Sequence, residues 1–210
     1  MAWVIVMYNL IALIVGYLFG NILCAFIVCK IKFGMNPTQI GSHNPGTANV
    51  GSIFGKKWGL LTCVGDIVKA ILALILVLIV CPMHISLAYC GLGLMLGHAF
   101  PFWNNFNGGK CVAVSLPIVI FFDWQWGIFC IIIELLLMII LKNLAVSPVI
   151  SLLIYSIVIF VIYSNCAGIL FLIGWCVMLY KFRNDLVAYC KGEGKRTDIL
   201  FLFKRVLKHK

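Results

Sequence analysis

Long blocks of apolar side chains alternate with short polar breaks along almost the whole chain. Blocks over 3–29, 59–80, 85–102, 111–122, 127–141, 147–163 and 166–181 predict about seven helices, since some twenty apolar residues match the thickness of a bilayer core. The fourth and fifth blocks are short. At 1.5 Å per residue the fourth covers about 18 Å of a hydrocarbon core near 30 Å thick, so it ends below one surface or continues into its neighbours. The first block, Trp3 to Cys29, is expected to form one retained helix. It is too long for a signal-peptide core, with no basic segment before it and no small-residue cleavage site after it.

Composition fixes the class. Of 210 residues, 64% are hydrophobic and only 10% are charged, against about a quarter charged in soluble domains. The expectation is an all-α, polytopic integral membrane protein whose residues 1–210 form one membrane-embedded domain. The formal charge of +10 does not point to nucleic acid, because no basic stripe interleaved with aromatics occurs. The bases segregate instead. With seven spans, Lys30, Lys32, Lys56, Lys57, Lys69, Lys110, Lys142 and the bases from Lys181 onward all fall at or near one side. The loops around 81–84, 123–126 and 164–165 hold none. By the positive-inside rule the N-terminus is then outside and the C-terminus cytoplasmic, with Trp124 and Trp126 in an outer aromatic belt. The ten cysteines lack a C-x-x-C pair and lie mostly in apolar runs, where Cys acts as a small hydrophobe. The stretch from Gly192 to Lys210 mixes bases with apolar residues and is expected to lie as an amphipathic helix on anionic lipid.

Three polar clusters fall on the cytoplasmic side of this plan. GSHNPGTANVGSIFGKKWG, residues 41–59, is rich in residues that tolerate unusual dihedrals and can point backbone N–H groups at an anion. GHAFPFWNNFNGGKCVAV, residues 97–114, places Gly108, Gly109 and Lys110 just before a helix start, a favourable phosphate seat. KFRNDLVAYCKGEGKR, residues 181–196, gathers bases with Asn184, Asp185 and Glu193. Asp66 and Lys69 form an i,i+3 pair near the start of the second span. Ionisable groups at membrane depth are functional candidates, and a purely structural ion pair is the other reading. Together the clusters suggest a cationic, amide-rich pocket for a ligand with a phosphate head and an acyl chain.

These residues resemble the bacterial integral-membrane glycerol-3-phosphate acyltransferases that use acyl phosphate, the PlsY type. Gly41, Ser42, Asn44, Gly46, Asn49 and Val50 match the family's first motif, Asp66 and Lys69 a D-x-x-K element, and Gly97, His98, Phe100, Pro101, Phe106, Gly108, Gly109, Lys110, Val112 and Ala113 its second. The resemblance implies transfer of an acyl group from acyl phosphate to the 1-hydroxyl of glycerol 3-phosphate, giving lysophosphatidic acid and phosphate, in phospholipid biosynthesis at the bacterial plasma membrane. It implies membrane lipid as surroundings and neither cofactor nor metal. His98, Ser42 and Lys110 would be catalytic. Gly41, Asn44, Gly46, Asn49, Asp66, Lys69, Gly108, Gly109, Arg183 and Glu193 would bind substrate.

The chain departs from the family pattern at named positions. His43 replaces a Gly, Ser52 an Arg, Asn107 a Lys and Cys111 a Gly; in the third motif Phe182 stands at a His, Asp185 at an Asn and Ala188 at an Arg. An ionised Asp185 would repel a phosphate, and Phe182 cannot hydrogen-bond. A paralogue with another acceptor or without activity, and a carrier for a small anion or lipid, therefore stand beside the acyltransferase. The missing internal repeat counts against the carrier.

Overall fold

The computed structural model describes residues 2–194, and among these every regular element is helical. The order is α1 (Ala2–Gly20), α2 (Cys24–Phe33), α3 (Thr47–Phe54), α4 (Lys56–Val80), α5 (Ile85–Ala99), a short 3-10 turn (Phe102–Asn104), α6 (Val112–Phe122), α7 (Trp124–Leu141), α8 (Val146–Ile162) and α9 (Asn165–Cys190). Five stretches among the described residues are long and apolar enough to cross a membrane: Trp3–Phe33, Lys56–Val80, Ile85–Asn104, Trp124–Leu141 and Asn165–Cys190. Val112–Phe122 and Val146–Ile162 are apolar but shorter. The expected fifth span is thus longer than its block suggested, and the fourth is as short. The amphipathic helix expected over 192–210 lies, from residue 195 on, outside the described residues.

Two segments differ from expectation. The first apolar block is not one helix, because the chain leaves helical geometry between Gly20 and Cys24, with Leu23 extended at φ −90°, ψ 105°. Asn21 is the cause. Its side-chain amide turns back onto Tyr17 O at 2.7 Å, its Oδ1 accepts Phe102 N at 2.9 Å, and its carbonyl accepts Trp103 Nε1 at 2.9 Å. The break exchanges ladder bonds for bonds to the 102–103 turn. The other difference lies in 41–59, expected as a loop, where residues 47–54 form α3.

α1 lies along α5 at very short range. Gly16 and Gly20 face Cys90 O and Leu94 O, while Gly93 and Gly97 face Leu13 O and Tyr17 O, so closely that an added Cβ would overlap each carbonyl. Both helices carry the small-xxx-small spacing that lets backbones meet where lipid leaves no hydrophobic drive between helices. Leu74, Val77, Leu87, Leu94, Ile118 and Met178 fill the core beside this contact. The later helices are pinned by side chains bonding to carbonyls of neighbouring helices: Ser151 Oγ to Cys130 O at 2.7 Å, Tyr155 OH to Val119 O at 2.9 Å and Trp175 Nε1 to Val149 O at 3.0 Å. α7 turns Ile128, Ile132, Leu135, Leu136 and Ile140 outward, which suits contact with acyl chains.

Replacing Gly93 by Leu should force α1 and α5 apart. A loss of about 1–3 kcal/mol is expected, the usual range for overpacking, read as a lower thermal unfolding temperature in detergent micelles. An unchanged unfolding temperature would mean that the close crossing carries no stability.

Candidate active site

α4 puts Asp66 and Lys69 one turn apart on its inner face, directly opposite the break in α1. Their charged atoms are 2.8 Å apart, with side chains 2% and 4% exposed. Lys69 Nζ donates to Gly20 O at 3.2 Å and Ile22 O at 2.5 Å, carbonyls at and just past the end of α1. Asp66 Oδ1 accepts Cys24 N, the first residue of α2, at 3.5 Å. A cation therefore sits at the C-terminal end of one half-helix and an anion at the N-terminal end of the next, the signs that both helix dipoles favour.

His98, from the last turn of α5, completes the cluster with Nδ1 at 2.9 Å from Lys69 Nζ. An ammonium has only N–H donors, so His98 Nδ1 accepts and its ring proton sits on Nε2. That nitrogen abuts Gly109 so closely that a Cβ there would overlap it. His98 is 3% exposed and also accepts Gly109 N on its carbonyl at 2.9 Å. Both faces of this histidine thus hold protein, one the ion pair and the other the glycine turn.

The N–H groups of Gly108 and Gly109 are engaged by Ala99 O at 3.0 Å and His98 O at 2.9 Å. The phosphate seat expected from these two glycines therefore draws no free N–H from them; they set the shape of the turn instead. Free donors begin with the first turn of α6, which has no side-chain cap, so its leading N–H groups lack intrahelical partners. Lys110 stands beside this helix start. Its Nζ lies 2.5 Å from Asp185 Oδ2 and 4.8 Å from the centroid of the Phe182 ring. Lys181 reaches Ala99 O at 3.2 Å and lies 5.5 Å from the Phe100 ring. Arg183 does not join this group. Its guanidinium folds over Tyr180 at 4.2 Å and donates to Tyr180 O. Glu193 is exposed beyond the end of α9.

The first motif forms its own polar unit. Asn49 is 2% exposed. Its amide donates to Pro37 O and Ile40 O at 3.0 Å each, and its Oδ1 accepts Ser42 N at 2.9 Å. All of its amide hydrogen-bonding is spent on holding the loop. Gly41 (φ 56°) packs against the same Oδ1, which leaves no room for a Cβ. Ser42 is exposed and Asn44 half-buried. Gly46 is the N-cap of α3, whose first turn likewise lacks a side-chain cap. Ser52, where the resemblance expected Arg, bonds Asn49 O at 2.8 Å.

Two departures now have a physical reading. His43 (φ 59°) and Cys111 (φ 68°) are both left-handed, the region glycine enters freely and other residues enter at a cost. Each retains the backbone shape and gains a side-chain contact, His43 Nδ1 with Thr38 O at 3.0 Å and Cys111 Sγ with Met95 O at 3.3 Å. Sequence reasoning missed Asn21, signalled only by an amide inside an apolar run. It also missed the paired glycines of α1 and α5, although GYLFG and GLMLG carry their spacing openly.

The apolar helices and the charged cluster buried among them define a polytopic integral membrane protein. The family model described as Glycerol-3-phosphate acyltransferase matches residues 10–192. The chain belongs to this family. It is 49% identical over 197 residues to Glycerol-3-phosphate acyltransferase 1 of Lactobacillus acidophilus, covering 93% of this chain and 95% of that one. Glycerol-3-phosphate acyltransferase 1 of Lactobacillus johnsonii is 46% identical over 198 residues, with 94% and 96% covered. The fold matches the crystal structure of PlsY (YgiH), an integral membrane glycerol 3-phosphate acyltransferase, in its glycerol 3-phosphate form. The TM-score is 0.82 at 24% identity, over 93% of this chain and 98% of that one.

Asp66→Ala or Lys69→Ala leaves a buried charge without its partner. Each should destabilise the folded protein by about 3–5 kcal/mol, measured by thermal unfolding in micelles. The double variant Asp66→Asn/Lys69→Gln should recover part of that loss, and additive losses would refute the coupling.

Proposed function

We propose that this chain transfers an acyl group from acyl phosphate to the 1-hydroxyl of glycerol 3-phosphate. The hydroxyl oxygen forms the new ester bond at the carbonyl carbon, and the carbonyl–phosphate bond breaks. Phosphate leaves with the bonding pair, the hydroxyl proton passes to phosphate or water, and lysophosphatidic acid remains. An acyl phosphate is already activated, so positioning and charge stabilisation can supply the catalysis. The observation that carries this reading is the 49% and 46% identity, over nearly the full length, to the two Lactobacillus acyltransferases.

Lys110 and the uncapped start of α6 hold one phosphate. Ser42, Asn44 and Gly46, with the start of α3, hold the other. Gly41 and Asn49 maintain that loop, and Gly108 and Gly109 shape the Lys110 turn. His98, with Asp66 and Lys69, acts as a positioning residue, consistent with its burial. Arg183 and Glu193 belong to the charged rim. A groove of about 460 Å³ lined by Asn21, Ile22, Phe26, Ile27, Lys30 and Trp103, among others, begins at the α1 break and suits an acyl chain. Residues 1–210 act as one domain of the bacterial plasma membrane, N-terminus outside, with the site on the cytoplasmic face.

Purified protein given palmitoyl phosphate and glycerol 3-phosphate should yield lysophosphatidic acid and phosphate in equal amounts. Lys110→Ala should lower kcat by about 100-fold or more, as the loss of a charge-stabilising donor does; wild-type turnover in that variant would remove Lys110 from the site. For the orientation, Cys166 and Cys190 are both exposed near opposite ends of α9. In single-cysteine variants in intact cells, an impermeant thiol reagent should label Cys166 and spare Cys190, and the reverse pattern would invert the topology.

A further inference from the structure

Asp185 stands where a phosphate would be expected. Its carboxylate lies 2.5 Å from Lys110 Nζ, with the two side chains 43% and 24% exposed. Phe182, three residues earlier and therefore on the same face of α9, is 5% exposed and places its ring beneath the same ammonium. The ring and the carboxylate together hold Lys110 beside the start of α6. The neighbouring cations Lys181 and Arg183 turn to the carbonyls of Ala99 and Tyr180, so among the described residues Asp185 makes its ion pair with Lys110.

We infer that Asp185 is an internal anion that occupies the Lys110 seat when no substrate is bound and must be displaced by a substrate phosphate. It thereby sets the affinity of that seat for anions. The inference rests on the acyltransferase reading for its biological meaning, but its physical content concerns anion binding alone. Two properties support exchange over a permanent bond. The pair is partly exposed, and ion pairs in water-accessible settings hold about 0–1 kcal/mol. A phosphate carries close to two negative charges at neutral pH and offers three acceptor oxygens, so it outcompetes a single carboxylate for an ammonium that also has free N–H groups beside it. The contrast with Asp66–Lys69 is one of access, since that pair is closed on all sides by backbone and His98. Phe182 has a matching role. Its ring gives the ammonium a contact that survives when the carboxylate leaves, keeping Lys110 in place during the exchange.

Inorganic phosphate is the probe, bound to purified wild type, Asp185→Asn, Lys110→Ala and Lys110→Ala/Asp185→Asn in micelles, with Asp185→Ser as a second variant should the amide misfold. Asp185→Asn is expected to bind phosphate about three- to fivefold more tightly, the range that a partly exposed pair supports. The gain should vanish in the Lys110→Ala background. A gain that persists without Lys110 would show a general charge effect and overturn the inference. Unchanged or weaker binding in Asp185→Asn, or no phosphate binding by any variant, would overturn it too. Failure of the acyltransferase reading is read separately, as absence of lysophosphatidic acid from wild type, whereas the binding comparison needs no turnover.

Discussion

A lysine ammonium and an aspartate carboxylate, placed one helical turn apart, stand at the two ends of a broken helix. Lys69 takes up the carbonyls of Gly20 and Ile22, and Asp66 receives the first N–H of α2. Two like-charged groups there, or two apolar ones, would leave helix ends unpaired at membrane depth, where each unmatched polar group costs several kcal/mol. The charges desolvate each other's surroundings, yet every direction around Lys69 holds an acceptor, which lets a buried pair persist. From this point order spreads outward: to His98 on one side, from His98 to the Gly108–Gly109 turn, and so to Lys110.

The paired glycines of α1 and α5 make that geometry reproducible. Lipid tails supply no hydrophobic force between helices, so the two backbones are held by van der Waals contact at close range. Asn21 then ties the break to Phe102 and Trp103, while Tyr17 OH donates to Phe100 O at 3.0 Å. α1, α5 and the turn after α5 are therefore tied together by backbone contact and by three hydrogen bonds. The later helices are joined by apolar packing, with Leu152, Tyr155, Ile159 and Phe171 in the shared core, and by side-chain bonds to carbonyls.

Much of this was legible in the sequence because bilayer thickness imposes a length on apolar runs. The blocks located helix after helix, and the i,i+3 spacing of Asp66 and Lys69 already stated that they share a face. The break at Asn21 was not legible, since one amide in an apolar run signals either a buried polar contact or a helix end, and only its partners from residues 102–103 decide. The engaged N–H groups of Gly108 and Gly109 were equally hidden, because their acceptors on Ala99 and His98 become neighbours only when the chain doubles back. Phe182 and Asp185 read as losses when set beside a family pattern one residue at a time. Together in space they form a cradle for Lys110.

α9 has 26 residues and so extends about 39 Å, more than the hydrocarbon core of about 30 Å. Its last turns carry Lys181, Arg183 and Asp185, charged side chains that favour the headgroup region over the hydrocarbon core. There the screening length is about 8 Å at physiological ionic strength, and dissolved salt competes for the same charges. The molecule thus holds two carboxylate–ammonium pairs in two electrical climates. The one under α1 is insulated from the salinity of the cell and keeps the scaffold's shape. The one on α9 is partly exposed, so dissolved ions screen it in a way that they do not screen the buried pair.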